Sequence, residues 1–300
     1  MSDKVLQQDL SEKAPNRPQM LIAQLLFREK PEACSFEKAK SAVEKYCGEI
    51  GEIAEKPDIL MFPVNRYKAM FEDKPDGRSC PQGVPVLACF MQPFEFKMEL
   101  DELTRSQLWD MENGAEFADE VRYEVVVHAM LSDALSYTEQ AELFIKQLDA
   151  AVEMYPTCDA IYVTGSGKLT PTEKFISDRQ WDMGARFINA AVNVRFFNIQ
   201  GTGDMLIDSL GMYTLALPDV QMHFRDINPN DVVRYVYNIL DYQFKNDFPI
   251  DNGDSLDGIG SDGNIDINVQ WRARYEDSLV QPLRPVLDIN CGEFAAGTRE

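Results

Sequence analysis

"EVVVHAMLSDALSYTEQAELFIKQLDAAVEMYPTCDAIYVTG", Glu124 to Gly165, decides how the rest of the chain is read. Its first eight residues, Glu124 to Leu131, are an apolar run of strand length, rich in β-branched side chains. A helix signature follows. Ser136 and Glu139 have capping-box spacing, in which the serine oxygen accepts the N–H three residues on and the glutamate reaches back to the serine N–H. Leu143 or Phe144, Leu148, Ala151 or Val152, and Tyr155 then recur on one helical face, and Pro156 stops the pattern. CDAIYVTG is again a strand, so the stretch reads strand, helix, strand.

The same order stands upstream. LIAQLLF (Leu21 to Phe27) is a short apolar strand, and SFEKAKSAVEKYCG is a helix with Ser35 as N-cap and Gly48 as stop. In that helix Phe36, Ala39, Val43 and Tyr46 or Cys47 fall on one face. ILMFPVNRYKAMF and VPVLACFMQPFEF follow as strand-like runs separated by the turn-rich DKPDGRSCPQG. Ser35 and Ser136 lie 101 residues apart, as do Asp58 and Asp159, which open the strands after the two helices. Two related β-α-β halves are one expectation from this offset, and simple alternation of strands and helices is the other.

Beyond Arg179 the pattern becomes strand-rich, with VNVRFFNIQ, MLIDSLGMYTLAL and VQMHFRDI in succession. A helix over NPNDVVRYVYNILDYQFKN has Asn228 as cap and Pro229 at its first position, with Val232 or Val233, Val236, Ile239 or Leu240, and Phe244 facing a core. The Gly/Asp-rich loop NGDSLDGIGSDGN and the strand pair VQWRARYEDSL and RPVLDIN complete the chain. The expected fold class is α+β, mainly antiparallel sheet or sheets with helices packed on one face. Residues 1–19 read as a polar tail, 20–120 as an N-terminal α+β half, 121–290 as a C-terminal α+β half, and 291–300 as a second tail.

Composition removes several functions. The 300 residues are 45% hydrophobic, enough for a substantial core, and no stretch has the length of a membrane span or the form of a signal peptide. A cytoplasmic location without membrane association is the expectation. The formal charge of −21, from 50 acidic and 29 basic residues, is spread along the chain and would repel nucleic-acid phosphates. It would equally steer a basic protein partner toward the surface. Six scattered cysteines without a C-x-x-C pair indicate neither a zinc site nor a redox motif, and are expected to be mostly buried free thiols.

Each chemical motif fails at a definable place. In YVTGSGKLTP a phosphate-binding loop would need glycine at Tyr162 and Ser or Thr at Leu169, and the dinucleotide spacing would need glycine at Thr170. The segment is read as a turn. In the acidic run Asp251 to Asp266, an EF-hand starting at Asp262 would put Ile267 at the invariant glycine and Ala273 at the bidentate glutamate, so a hairpin connection is read instead. Cys80 with His128 as base has nothing in sequence to join them, and no G-x-S-x-G elbow exists. No catalytic residue, metal site or cofactor is predicted. In WRARYED, strand alternation puts Trp271, Ala273 and Tyr275 on one face and Arg272, Arg274 and Glu276 on the other. The two arginines could grip an anionic group, with Arg225 as a third member of such a site, or could form cross-strand ion pairs.

The stretch from NVRFFNIQGTGDMLIDSLGMYTLALPDVQMHF through NPNDVVRYVYNILDYQFKN and GDSLDGI to WRARYEDSLVQPLRPVLDI resembles the bacterial family known as domain of unknown function 4261. The resemblance is strongest from about Arg195 to Ile289 and extends more faintly upstream through CDAIYVTGSGKLTPTEKF and EVVVHAML to FMQPFEF. It implies a shared α+β fold and a glycine-containing turn near Tyr162 to Leu169, and it brings no activity and no catalytic residues. The leading functional expectation is a non-catalytic binding protein that meets a basic protein partner through its acidic surface. The alternative is a small-molecule-binding protein or hydrolase with an anion pocket at Arg272, Arg274 and Arg225.

Overall fold

The computed structural model describes residues 20–52, 59–71 and 82–297, which form two compact units, one over Met20–Ala191 and the other from Val192 on. In the first unit the order is β1 (Ile22–Phe27), α1 (Phe36–Cys47), β2 (Ile59–Met70), β3 (Gln82–Met91), β4 (Phe94–Glu95), α2 (Glu102–Ser106), α3 (Gly114–Glu120), β5 (Tyr123–Met130), α4 (Tyr137–Met154), β6 (Ala160–Val163), β7 (Lys168–Pro171), α5 (Thr172–Ser177) and α6 (Met183–Ala191). One sheet in the order β2-β3-β5-β1-β6-β7, with β4 also on β5, carries them all.

Every pairing in this sheet is antiparallel. It follows that β5 and β6, which flank β1, run parallel to each other, as do β1 and β3, which flank β5. The sheet is therefore two interlocked split β-α-β units, the connectivity of a ferredoxin-like layer. A division at 120/121 would cut it, because β5 pairs with β1 along its length, Leu25 opposite Val125. The repeat of 101 residues is visible in the element starts, 22 with 123, 36 with 137 and 59 with 160. It does not extend to a matching third strand. β6 lies beside β1, whereas β2 lies at the far edge beside β3, so the strand equivalent to β6 is β3. The two halves share a β-α start and a following hairpin, β2-β3 or β6-β7, but the first joins the sheet through its second hairpin strand and the second through its first.

Helices form where the capping chemistry predicts. Ser35 accepts the Lys38 N–H, and Ser136 and Glu139 make the reciprocal capping box. α1 and α4 present Ala39, Val43, Phe144 and Leu148 to the core, and Phe36 meets Phe62 of β2 with ring centroids 5.4 Å apart. Full burial of side chains such as Phe62, Leu25 and Leu148 stabilises the unit by about 1.5–3 kcal/mol each. By alternation the even-numbered residues of β1 and β6 face the other way. There Leu26, Ala160 and Tyr162 pack with Phe117 and Ala118, so short α3 closes part of the second face.

The second unit contains β8 (Asn193–Asn198), β9 (Met205–Leu210), β10 (Asp219–Phe224), α7 (Pro229–Lys245), β11 (Ser255–Ile259), β12 (Ile265–Asp277) and β13 (Pro285–Asn290) in a sheet of order β11-β12-β13-β10-β9-β8. Only β10 and β13 are parallel. α7 starts at Asn228, whose side chain accepts the Asn230 N–H, with Pro229 in its first turn, and it buries Val232, Val236, Ile239, Leu240 and Phe244 as the spacing predicts. The two mostly antiparallel sheets with their packed helices make the protein α+β.

Three sequence readings change. MLIDSLGMYTLAL is a strand only to Leu210, after which Met212–Leu215 forms a 3-10 turn because the buried Asp219 carboxylate accepts the Gly211 and Met212 N–H groups. The Gly/Asp-rich stretch contains β11, which pairs with β12 despite its composition. Gly258 is required there. A Cβ at this position would lie 2.7 Å from the Trp271 ring and 2.6 Å from Val269. Finally, α2, α3, α5 and α6 are helices of nine residues or fewer that the sequence reading leaves unassigned.

Candidate functional site

Alternation along β12 places Trp271 and Ala273 beneath α7 and leaves Arg272 and Arg274 exposed on the opposite face. Trp271 is fixed by an edge-to-face contact with Tyr235, centroids 5.0 Å apart. Arg272 donates from Nη1 to the Gly253 carbonyl at 2.9 Å, which ties the 251–254 turn to the strand. Arg274 stands opposite Asp288 in register, but among the described residues neither arginine has an ion-pair partner. Arg225 belongs to a different group. It lies beyond the end of β10, its guanidinium 3.4 Å from Asp204 and its N–H bonded to Phe294. The fold thus brings Arg272 and Arg274 side by side and ties Arg225 elsewhere.

Neither of two surface depressions takes in these arginines. One, about 380 Å³, is lined by Phe36, Lys40, Glu44, Ile50, Gly51 and Glu52 of the first unit. The other, about 330 Å³, lies between the N-terminal half of α7 and the β11-β12 hairpin, with Tyr237, Ile259 and Ile265 among its walls.

The most concentrated charge in the second unit is buried. Arg195 grips Asp208 with both ends of its guanidinium, Nε to Oδ1 at 2.9 Å and Nη2 to Oδ2 at 2.6 Å. Arg284 bridges Asp208 (2.6 Å) and Asp219 (2.9 Å) and also donates to the Val280 and Pro282 carbonyls. Asp219 accepts in addition from Ser209 Oγ and the Met212 N–H, both at 3.0 Å. Burial pushes the Asp219 carboxyl above the usual carboxylate range, and the Arg284 guanidinium opposes that push. Arg195 Nη1 donates to the Gln281 carbonyl and Leu279 N–H to Gln221 Oε1, so the 278–284 connection is held against the strands. Two arginines and two aspartates neutralise one another and leave no group open to solvent. The network holds register and connection. Its signal in sequence is an ionisable residue inside an apolar strand, Arg195 in NVRFF and Asp208 in MLIDSL.

The Gly165–Lys168 segment is the tight connection of the β6-β7 hairpin, Val163 opposite Lys168. Lys168 is 1% exposed, and its ammonium and that of Lys174 both bond Asp110, whose carboxyl they hold below the ordinary range against the effect of burial. An amine so placed cannot reach out to a phosphate, and the turn reading stands on geometry. On β5, burial lowers the pKa of half-buried His128 and pushes the Glu124 carboxyl up to about 7, although Gln24 donates to it. Cys80 lies outside the described residues. Cys34, Cys47, Cys89, Cys158 and Cys291 are buried free thiols.

The acidic stretch is engaged locally. Asp262 accepts the Asn264 N–H at 3.0 Å and Asp266 the Asn268 N–H at 2.9 Å, and burying neither carboxylate is required for these turns. Among the described residues no three His, Cys, Asp or Glu side chains converge in a way that could hold a metal ion.

Residues 208–290 match the family model described as Domain of unknown function (DUF4261). The resemblance read from the sequence is borne out over that stretch, which runs from Asp208 of β9 to the end of β13 and contains α7, the β11-β12 hairpin, Arg272, Arg274 and Arg284. The match does not reach the upstream stretches of the first unit. No curated protein and no solved structure matches the chain. No helix among the described residues is long and apolar enough to cross a membrane.

Proposed function

We propose that this is a non-catalytic binding protein that meets a basic protein partner through its acidic surface. The observation that carries the reading is how the charges are spent. Arg28, Lys45, Arg66, Arg225, Arg234 and Lys245 are exposed cations each tied to a carboxylate, and although Arg272 and Arg274 stand exposed without one, 50 acidic residues against 29 basic leave the surplus of charge that meets a partner negative. A field of that sign accelerates association with a basic surface and weakens as salt rises.

The test is affinity capture on the immobilised full chain from native lysate at about 50 mM and about 500 mM salt, where the Debye length falls from roughly 14 to 4 Å. A single basic protein retained at low salt and lost at high salt is expected. Recovery of an anionic metabolite without any protein, lost in an Arg272→Ala, Arg274→Ala variant, overturns the reading and moves the function to an anion site.

A further inference from the structure

Between Asn246 and Trp271 the chain carries six aspartates, Asp247, Asp251, Asp254, Asp257, Asp262 and Asp266, and no lysine or arginine. The last three lie on the β11-β12 hairpin. There the ladder skips from Asp257 opposite Gln270 to Gly258 opposite Asp266, so Ile267, Asn268 and Val269 bulge outward. The bulge is not loose. Asp266 accepts from both the N–H and the amide of Asn268, and Gln270 Nε2 bridges Asp257 Oδ1 at 2.8 Å and the Ile267 carbonyl at 2.9 Å.

This rigid bulge presents Ile267 at 74% exposure, and Ile265, half-exposed, lines the 330 Å³ depression with Tyr237 and Ile259. Next in sequence to Gly263 and Ile265 of that depression, the Asp262 and Asp266 carboxylates converge on Gly260, where a Cβ would lie 3.4 and 3.3 Å from them. The nearby cation, Arg234, is bonded to Asp231 and to the Gly263 carbonyl, which ties the hairpin tip to α7. An apolar wall, acidic side chains on the adjoining hairpin tip and a hairpin tied by its own hydrogen bonds are the parts of an interface whose ordering cost has been met before binding.

We infer that the hairpin tip and the α7 depression are the docking site for a basic protein segment, one apolar side chain entering against Ile259 and Ile265 while flanking lysines or arginines face Asp257, Asp262 and Asp266. The inference rests on the acidic-surface reading and gives it a place.

The probe is a labelled lysine-rich peptide with a central leucine, titrated onto the full chain by fluorescence anisotropy at low salt, with contact mapped by hydrogen exchange. The variant Asp257→Asn, Asp262→Asn, Asp266→Asn keeps the acceptor oxygens and removes the charges, and binding about tenfold weaker is expected. Ile265→Ser, a solvent-facing change, weakens the leucine peptide and leaves its serine-substituted counterpart unaffected. Slowed exchange is expected over residues 255–270, with thermal melting of both variants unchanged. Salt-sensitive binding that maps elsewhere, or that the triple variant does not weaken, overturns the docking site and leaves the acidic-surface reading standing. Failure of the wild-type chain to bind the peptide at low salt overturns both.

Discussion

Replacing Arg284 with methionine removes the centre of the buried charge network while keeping most of its volume. The consequence can be worked out carboxylate by carboxylate. Asp208 keeps the two-pronged contact from Arg195, so its charge stays compensated. Asp219 keeps only neutral donors, Ser209 Oγ and the Gly211 and Met212 N–H groups, in a site with no exposure to water. Removing one partner of a buried pair typically costs about 3–5 kcal/mol. With a denaturant slope of about 1–3 kcal/mol per M, the urea midpoint should fall by at least about 1 M. Tryptophan emission isolates the unit concerned, because Trp271 is 1% exposed whereas Trp109 and Trp181 in the other unit are 60% and 55% exposed. Adding Asp219→Asn to the methionine variant removes the stranded charge and should recover at least about 1 kcal/mol. A loss below about 1 kcal/mol for Arg284→Met, or no recovery in the double variant, would refute the assignment of a dry structural network and reopen the site to solvent and ligand.

Two further outcomes test the first unit. Lys168→Met should lower its stability by about 1–3 kcal/mol without altering nucleotide affinity, because Asp110 retains Lys174 and the lysine never faced a ligand; saturable binding of a fluorescent ATP analogue by the wild type that the variant loses would overturn this. Glu124 has its folded pKa raised by burial from 4.5 to about 7, so between those values the unfolded chain holds fewer protons than the folded one and stability falls as pH rises. Glu124→Gln abolishes that contribution, and its stability relative to wild type should rise by about 2 kcal/mol from pH 5 to pH 8 in urea unfolding; an equal difference at both pH values contradicts the burial argument.

Local signals made much of the fold legible. Ser35, Ser136 with Glu139, and Asn228 with Pro229 each mark a helix start, because capping is chemistry between residues two or three apart and leaves its trace in the sequence. Pairing partners left none. That β1 sits between β5 and β6, or that β3 rather than β2 completes the first split unit, depends on contacts across a hundred residues. β11 was hidden for a different reason: Gly258 is a poor strand former that the Trp271 ring requires. Among the candidate site residues, alternation correctly exposed Arg272 and Arg274, but no local rule could attach Arg225 to Asp204 instead. Arg284 passed unnoticed because RPVLDIN reads as a strand start, and only the tertiary fold turns that side chain inward.

The segment matching the family model therefore holds two kinds of charge with separable effects. Arg284, Asp208 and Asp219, together with Arg195 just upstream, sum to zero inside the protein and add almost nothing to the field a partner meets beyond a Debye length of about 8 Å at physiological salt. The hairpin aspartates are exposed or half-exposed, unneutralised, and hydrogen-bonded only within the hairpin, so they add to that field and contribute little to stability. Changes in the network should alter unfolding and leave the association rate with a basic probe untouched; neutralising the hairpin should do the reverse. An association rate that follows Arg284 but not Asp257, Asp262 and Asp266 would mean that the partner recognises the register of the sheet and not its charge.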